Sequence, residues 1–597
     1  MIARLICLVA GAAILALGIC RASLALVVAG TALVAVALTR LGPAERAPLP
    51  SASRAGCPAP NDGGRETCSR DNVLPRALTM IAVALGLSAV TIALGSAETP
   101  VWLAIVTWLL SICALVGLGL TLDRLSARAA LGAARSLVAG EHRTEVGAVL
   151  VIAGVALALR FYDLEAIPAS FHEDEGEMAR IALNVVNGTR VPFFKTAAEW
   201  GPSYPFNYLQ AFWIWLFGST SASARTASAL AGVLCVPVVY VIGRLGWGPI
   251  AGAMAAWLLA VSHLHIHYSR LAQGFMVATL LAALTMMLLA LAADRAKRGA
   301  EHEADDRGVM PRRTGTGFWT FTILAGAVAG ISQHVYHATR IVPMIVGVLL
   351  IVLLMKRRVG RWHLEALGFA FLVAYAPLGV TYLESPGDFF IGLREISALR
   401  SSYAQELLGP GASLPRDLPA LMFEQLRRTL GLFIRQADLS GYYPSGPPAF
   451  DAVTAMLIWL GLGAVLGRFG RYHEVALLVW LGFGVVFGSA VTIGGQNGNR
   501  ILIIVPAVCL LGGVALARVR ALLSRMPLRG ADRLVAPVAT ALALWLLAAN
   551  VVIYFIEYAP RVERAESTSL AGELHARGDE HHFHFLTDPH LVIPPTR

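Results

Sequence analysis

Apolar runs of about 17–20 residues with few charges recur along most of the chain. A helix of that length, at about 1.5 Å rise per residue, crosses the hydrocarbon core of a membrane and pairs its own backbone polar groups. Since 56% of the 597 residues are hydrophobic and only 14% are charged, one water-soluble surface cannot cover the chain. The sequence therefore predicts an all-α polytopic membrane protein. The fifteen expected spans are 4–20, 24–39, 77–95, 101–121, 146–162, 225–243, 248–264, 274–293, 318–337, 341–355, 363–383, 451–467, 474–493, 501–518 and 534–556.

Lysine and arginine are concentrated in alternate connections between these spans. The basic connections are 40–76, 294–317, 356–361, 468–471 and 518–533. Because short basic loops are retained on the cytoplasmic side, we expect the amino terminus inside and the tail 557–597 outside. The formal charge of +10 is then a topology signal, and no basic groove with interleaved aromatic residues indicates a nucleic-acid partner.

The spans divide the chain into an accessory region, a core and a tail. Residues 1–121 are expected to form four accessory helices around a disordered loop at 40–76, which is rich in Pro, Ser and Gly. Residues 146–556 are expected to form the transmembrane core. The large extracytoplasmic loops of the core are 163–224 and 384–450, and the extracytoplasmic tail is 557–597.

One apolar stretch, 204–217, is too short to be a span. It has 14 residues, whereas a helical span needs about 20. Its tyrosines and tryptophans are typical of residues at the headgroup level, so we expect an interfacial helix here.

Four carboxylates lie within five positions directly after the span 146–162. They are Glu173, Asp174, Glu175 and Glu177. Residues 174–187 have the periodicity of an amphipathic helix lying on the membrane, and Gly188 supplies a stop. Acids at a helix amino terminus are favoured by the helix dipole and need no function. Crowded acids at a lipid boundary also repel one another, however, which favours a general base or a cation site.

The order of these features resembles the first extracytoplasmic loop of GT-C glycosyltransferases. An apolar span and a short spacer precede the pattern His-x-Asp-Glu-x-x-x-Ala at 172–179, and a helix ending in Asn-Gly and a Tyr/Trp-rich stretch follow it. The pattern is most similar to bacterial members of glycosyltransferase family 39, akin to the dolichyl-phosphate-mannose protein mannosyltransferases and the lipid A aminoarabinose transferase. The resemblance covers about 146–556. Its further matching segments are 263–270, 330–340, 430–451 and 498–506.

The resemblance implies a fold, a membrane and a reaction. The fold would be a GT-C transmembrane helix bundle with extracytoplasmic juxtamembrane helices, in a bacterial-type plasma membrane. The reaction would be inverting transfer of a hexose or pentose from a polyprenyl-phosphate donor to an extracytoplasmic acceptor, which is a protein, a lipid or a glycan. By position in the motif, Asp174 would be the general base, and Glu175 its catalytic partner or a metal ligand.

Three arginines, Arg270, Arg340 and Arg500, are expected on the extracytoplasmic side, where arginine is scarcer. Each one alone also fits an interfacial residue whose charge reaches water. Together they could hold a lipid-linked phosphate and stabilise charge on the departing group. The substrate-binding candidates are Arg270, Arg340, Arg500, Tyr336, Lys195 and His172.

A divalent cation is left open, with Glu175 as its candidate ligand. Several relatives carry a second acid shortly after the segment that matches Ser269-Arg270, whereas this chain has Gln273 there. Histidines near interfaces more often make ordinary hydrogen bonds than bind metal. The histidines to which this applies are His265, His267, His334 and His337.

Two other functions fit a polytopic protein with outward arginines. A transporter or lipid flippase would also meet a phosphate with cations, although transporters keep their decisive charges near the membrane midplane. A polysaccharide polymerase or ligase would share the donor and would depend on a late large loop. The arginines available for that role are Arg394, Arg400 and Arg435.

Overall fold

The structure is a computed structural model that describes residues 73–96, 99–124, 143–169, 171–195, 204–307, 318–356, 359–433, 437–443, 446–466, 470–523 and 531–561. These residues form helices and connecting segments, and the only β-pairing among them is two isolated bridges. The helices are α1 (Val73–Ser96), α2 (Val101–Leu122), α3 (Arg143–Phe161), α4 (Glu173–Val186), α5 (Pro205–Phe217), α6 (Ser221–Trp247), α7 (Pro249–Val261), α8 (His263–Ser269), α9 (Phe275–Arg307), α10 (Phe318–Ser332), α11 (Ile341–Met355), α12 (Arg361–Glu384), α13 (Pro386–Ile396), α14 (Ser401–Leu408), α15 (Leu418–Leu432), α16 (Ala452–Leu466), α17 (Tyr472–Val485), α18 (Gly498–Ile501), α19 (Val505–Leu523) and α20 (Ala531–Val551). Short 3₁₀ or π turns lie at His337–Arg340, Val486–Ala490, Leu502–Ile504, Val552–Tyr558 and Ala559–Arg561.

Each of the thirteen spans predicted within the described residues corresponds to a helix. Within the described residues, ten helices are long and apolar enough to cross a membrane, or up to eleven if the bent pair α7–α8 is one span. The helices α10 and α16 are apolar but shorter. The predicted spans 4–20 and 24–39 and most of the loop 40–76 lie outside the described residues. The predicted class, an all-α polytopic membrane protein, is confirmed.

The stretch 204–217 forms a helix, α5, rather than a span. Pro205 occupies its first turn, where the missing N–H costs nothing, and Gly218 follows its end with φ +88°. The helix has 13 residues, which is too short to cross the hydrocarbon core. Trp215 and Phe217 are exposed at its outer side, as expected of interfacial anchors.

The accessory helices α1 and α2 pack directly against the core helices α10 and α12. The indole Nε1 of Trp108 donates to the carbonyl of Ala374 at 3.0 Å. Asp123 accepts from the backbone N–H groups of Trp319 and Thr320, at 3.1 and 2.8 Å. Gly119 permits this approach, because a Cβ there would lie 2.7 Å from the Cα of Thr320.

Contacts between connecting segments show which residues lie at each end of the helix bundle. At one end, Glu145 pairs with Arg244 at 2.6 Å, and the Lys356 ammonium donates to the carbonyl of Gly470. We call this end the turn face, and it carries Lys356, Arg361, Gly470 and Arg471. The opposite end carries α4, α5 and α13–α15, and we call it the loop face. The acidic cluster therefore lies on the face opposite to the basic turns.

A break between α7 and α8 turns the chain by 60° just below the loop face. Ser262 separates the two helices, and its hydroxyl accepts from the N–H of His265 at 3.4 Å. The last carbonyls of α7 would lack partners in an apolar bundle. The guanidinium of Arg160 provides these partners: it donates to the carbonyls of Leu259 and Ala260 at 3.2 and 2.9 Å. The short helix α8 thereby becomes a buried platform under the loop face.

Candidate active site

The helix α4 begins with a reciprocal cap that fixes the direction of the acidic residues. The N–H of Asp174 donates to His172 Nδ1 at 3.1 Å, and the N–H of His172 donates to Glu175 Oε2 at 3.0 Å. The helix ends at Val186, and Gly188 follows with φ +79°, a conformation that glycine adopts without strain. Ile181 and Ala182 are buried beneath it. The predicted amphipathic helix 174–187 is confirmed to within one residue.

Glu175 is fully buried and holds α4 against α6 and the segment that follows α8. Its Oε1 lies 3.3 Å from Arg225 Nε and accepts from the N–H of Ala272 at 2.6 Å. Its Oε2 already accepts from His172. Both carboxylate oxygens therefore already accept hydrogen bonds, and the geometry gives no support to the predicted role of Glu175 as a cation ligand. No group of three His, Cys, Asp or Glu side chains with metal-binding geometry occurs among the described residues.

Asp174, one residue earlier, faces outward. Its side chain is 53% exposed, and its Oδ2 lies 3.9 Å from His172 Nδ1. The hydroxyl of Tyr442 donates to the same oxygen. The ring of Tyr442 also packs against the imidazole of His172, with 4.5 Å between centroids. A residue of the second large loop thus clamps the predicted base.

Two tyrosines, Tyr442 and Tyr336, lie in the region between Asp174 and Arg500. The rings of Tyr442 and Tyr336 both pack against Phe275, with centroid distances of 5.0 and 4.9 Å. Burial raises the pKa of Tyr336 to about 12, an effect that the charge of Arg500 opposes and the charge of Asp174 reinforces. Tyr336 therefore lies within electrostatic range of both. Burial, and then the hydrogen bond to Asp174, raise the pKa of Tyr442 far above its usual value, so it remains a protonated donor.

Asp438 positions the segment that carries Arg500. Its Oδ2 accepts from the hydroxyl of Tyr268 at 2.5 Å, and its Oδ1 accepts from the N–H of Gly498 at 2.8 Å. Gly498 is required here, because a Cβ would lie 2.1 Å from Asp438 Oδ2. The guanidinium of Arg500 donates to the carbonyl of Ile493 at 2.5 Å.

Arg340 lies at the start of α11, on the loop face. It donates to the carbonyl of Phe389 at 2.8 Å and to the hydroxyl of Tyr382 at 3.3 Å. Its guanidinium also lies over the ring of Phe389, 4.4 Å from the centroid. Arg340 and Arg500 are both within electrostatic range of His337, whose ring packs against Tyr336. Tyr336 thus lies within electrostatic range of Asp174 and Arg500, and His337 within range of Arg340 and Arg500.

Arg270 does not join this group. It is fully buried, and its guanidinium donates to five carbonyls. These belong to Leu159, Arg160, Tyr162, Asp163 and Ile167, at 2.6–3.1 Å. It therefore holds the turn after α3, in which Asp163 adopts φ +46°. The geometry gives no support to the predicted phosphate-binding role of Arg270, since each of its N–H groups already has a partner.

Lys195 is exposed and lies beside Phe194, whose carbonyl accepts from the Thr381 hydroxyl at 3.3 Å. The structure places it near the end of α12 and not in contact with Asp174 or Arg500. His265, His267 and His334 make ordinary hydrogen bonds, to Arg160, the carbonyl of Tyr442 and the carbonyl of Ala374, as predicted. Arg394 and Arg400 are exposed on the second loop, and Arg435 lies outside the described residues.

Three residues of this site escaped the sequence-based prediction. Arg225 could have been found, since a charge inside an apolar span is expensive and marks a specific partner. Tyr442 and Asp438 carry no comparable signal. Their partners Asp174 and Tyr268 lie 268 and 170 positions away along the chain.

One part of the chain matches a known protein family. Residues 203–300 match the sequence profile of the family described as dolichyl-phosphate-mannose-protein mannosyltransferase. That stretch covers α5 to α8 and most of α9, with Arg225 and Arg270, and ends well short of α10. No curated protein matches the sequence.

Two solved structures show a weaker likeness. The first is the oligosaccharyltransferase AglB from Archaeoglobus fulgidus with an inhibitory peptide and a dolichol-phosphate, at 15% identity and a TM-score of 0.44, covering 69% of this chain and 56% of that protein. The second is ArnT from Cupriavidus metallidurans bound to undecaprenyl phosphate, at 17% identity and a TM-score of 0.43, covering 73% and 72%. This chain therefore spans little more than half the length of the archaeal protein. The resemblance to the dolichyl-phosphate-mannose protein mannosyltransferases predicted from the sequence is confirmed by the family profile over residues 203–300.

Proposed function

We propose that this protein is an inverting glycosyltransferase that moves one sugar from a polyprenyl-phosphate donor to an extracytoplasmic acceptor. One observation carries the proposal. A half-exposed carboxylate, Asp174, accepts a hydrogen bond from Tyr442, and Tyr442 and Tyr336 pack on the same ring, Phe275; Tyr336 lies within electrostatic range of both Asp174 and Arg500. A base and a cation are the two groups that displacement of a lipid phosphate from a sugar requires.

Asp174 would act on the acceptor. Its carboxylate would take the proton from the acceptor hydroxyl as the hydroxyl oxygen forms a bond to the anomeric carbon. The bond from that carbon to the phosphate oxygen would break at the same time, and the lipid phosphate would leave with the electron pair. A single displacement of this kind inverts the anomeric centre.

Arg500 and Arg340 would act on the donor. Charge accumulates on the departing phosphate, and guanidinium groups stabilise it by paired hydrogen bonds. Among the described residues, the Arg500 guanidinium donates to one acceptor, the carbonyl of Ile493, so its other N–H groups are available for a ligand. His172 would orient Asp174 and pack on Tyr442 rather than bind the sugar phosphate itself.

The loop face would lie outside the cytoplasm. Lys356, Arg361 and Arg471 lie at the turn face, and short basic connections stay on the cytoplasmic side of a membrane. The amino terminus would then be cytoplasmic and the tail 557–597 extracytoplasmic. The division into an accessory region 1–121, a core 146–556 and a tail is part of the same proposal.

The buried charges favour this enzyme over a transporter. Arg160 lies in the last turn of α3 and Arg225 in the first two turns of α6, both at the loop face. Transporters instead place substrate sites near the membrane midplane. A polymerase or ligase that depends on Arg394 or Arg400 is less well supported, because neither residue contacts the group around Asp174.

The test is the substitution Asp174→Asn in membranes supplied with the donor. Mass spectrometry of lipid-linked sugars, in cells with and without the gene, would first identify the donor that accumulates and the product that disappears. With that donor, Asp174→Asn is expected to lower kcat by about 10²–10⁴-fold, the usual contribution of a general base. Glu177→Gln is the matched control, since Glu177 is an exposed acid of the same helix that pairs with Arg180 and not with Tyr442 among the described residues. Near-normal transfer by Asp174→Asn would contradict the assignment.

A further inference from the structure

An apolar pocket lies between the accessory helix α1 and the core helices α12 and α13. Its volume is about 420 Å³. α1 lines it with Leu85 and Ala89, α12 with Val373 and Tyr382, and α13 with Phe389. Along α12 the lining extends from 369 to 383, which is about 21 Å at 1.5 Å per residue. The pocket therefore runs lengthwise along the bundle, towards the loop face.

The walls of the pocket are fixed to one another. The hydroxyl of Ser88 donates to the carbonyl of Val373 at 3.3 Å. The indole of Trp108 donates to the carbonyl of Ala374, the next residue of α12, and so holds α2 against the same helix. The accessory helices thus form part of the pocket by direct bonds to α12.

A cation lies at the loop-face end of this pocket. Arg340 donates to the Phe389 carbonyl and the Tyr382 hydroxyl and stacks on Phe389, and both of these residues line the pocket. Beyond Arg340 lies His337, whose ring packs against Tyr336 with 4.3 Å between centroids. The pocket therefore leads to the group of residues proposed to bind the donor phosphate.

An apolar trough that ends at a guanidinium suits an amphiphile with an anionic head. One elongated pocket accommodates one chain, which favours a single-chain lipid phosphate over a diacyl phospholipid. We propose that this pocket holds the part of the donor's isoprenoid chain nearest the phosphate, and that α1 forms one of its walls. The inference rests on the proposed function and gives the accessory helices a part in substrate binding.

The experiment measures binding without transfer. Purified full-length protein is titrated with undecaprenyl phosphate, and complexes are counted by native mass spectrometry. Ala89→Phe, which fills the pocket from α1, is expected to weaken binding at least tenfold. Val90→Phe is the matched control, because Val90 is on the same helix, exposed in the described structure and outside the pocket lining, and it should bind like the natural protein.

A second pair of variants guards against a folding defect in Ala89→Phe. Phe390 is half-exposed at the pocket edge and Phe423 is exposed on α15. Phe390→Ala should weaken binding, and Phe423→Ala should not.

Three results would overturn the inference. If the natural protein binds and both pocket variants bind equally well, the chain lies elsewhere while the proposed function stands. If phosphatidylglycerol competes as well as undecaprenyl phosphate, the pocket is a general lipid site. If the natural protein fails to bind undecaprenyl phosphate, the donor class of the proposed function fails as well.

Discussion

The adjacent acids Asp174 and Glu175 have opposite environments. Glu175 is buried and saturated with hydrogen bonds, whereas Asp174 is half-exposed and has one clamp, Tyr442. A buried carboxylate beside an arginine serves the fold, and an accessible one is free to exchange a proton. Two of the four crowded acids are paired with arginines, because Glu175 pairs with Arg225 and Glu177 pairs with Arg180 at 2.6 Å. These pairs reduce the repulsion between the carboxylates.

Tyr442 provides the first prediction at this scale. Tyr442→Phe keeps the ring on His172 but removes the hydrogen bond to Asp174. A hydrogen bond to a charged group is worth about 1.5–3 kcal/mol, so we expect kcat to fall by about 10–100-fold with little change in the donor KM. Steady-state kinetics would measure this, with Tyr162→Phe, an exposed tyrosine, as the control. An unchanged kcat would mean that the clamp has no role in the reaction.

At the scale of elements, α4 is held by one buried ion pair, between Glu175 and Arg225. Removing one member of such a pair leaves an uncompensated charge, at a cost of about 3–5 kcal/mol, whereas removing both is better tolerated. Glu175→Gln should therefore lower the unfolding temperature more than the double variant Glu175→Gln/Arg225→Gln. Thermal unfolding in detergent would test this, and Glu177→Gln should leave the temperature unchanged. A double variant less stable than the single one would show that the pair is not the anchor.

Elements differ in how far the sequence predicts them. Spans such as 341–355 were predictable because length and hydropathy alone define them. The break at Ser262 was not, because it depends on Arg160, about a hundred positions away, meeting the last carbonyls of α7. The sequence also predicts a phosphate ligand at Arg270, because an arginine on the extracytoplasmic side suits that role. The five carbonyls that it binds belong to residues more than a hundred positions away, so the sequence does not indicate them.

For the whole molecule, the two faces of the bundle must have opposite access to water-soluble reagents if the proposal is right. Contacts place the acids and the basic turns at opposite ends, and basic turns stay in the cytoplasm. An enzyme using a lipid-linked sugar outside the cytoplasm requires the loop face to be external.

This leads to a labelling prediction in a background without the seven native cysteines. Arg416→Cys, exposed on the loop face, should react with an impermeant maleimide in intact cells. Lys356→Cys, exposed on the turn face, should react only after the membrane is permeabilised, because the bilayer bars the reagent from that side. Labelling is measured by gel shift. If a cysteine reacts neither in intact nor in permeabilised cells, its reaction in detergent-solubilised protein shows whether the side chain is accessible at all. The reverse pattern would put Asp174 in the cytoplasm, where the proposed acceptor is absent, and the transfer reaction would have to be abandoned together with the orientation.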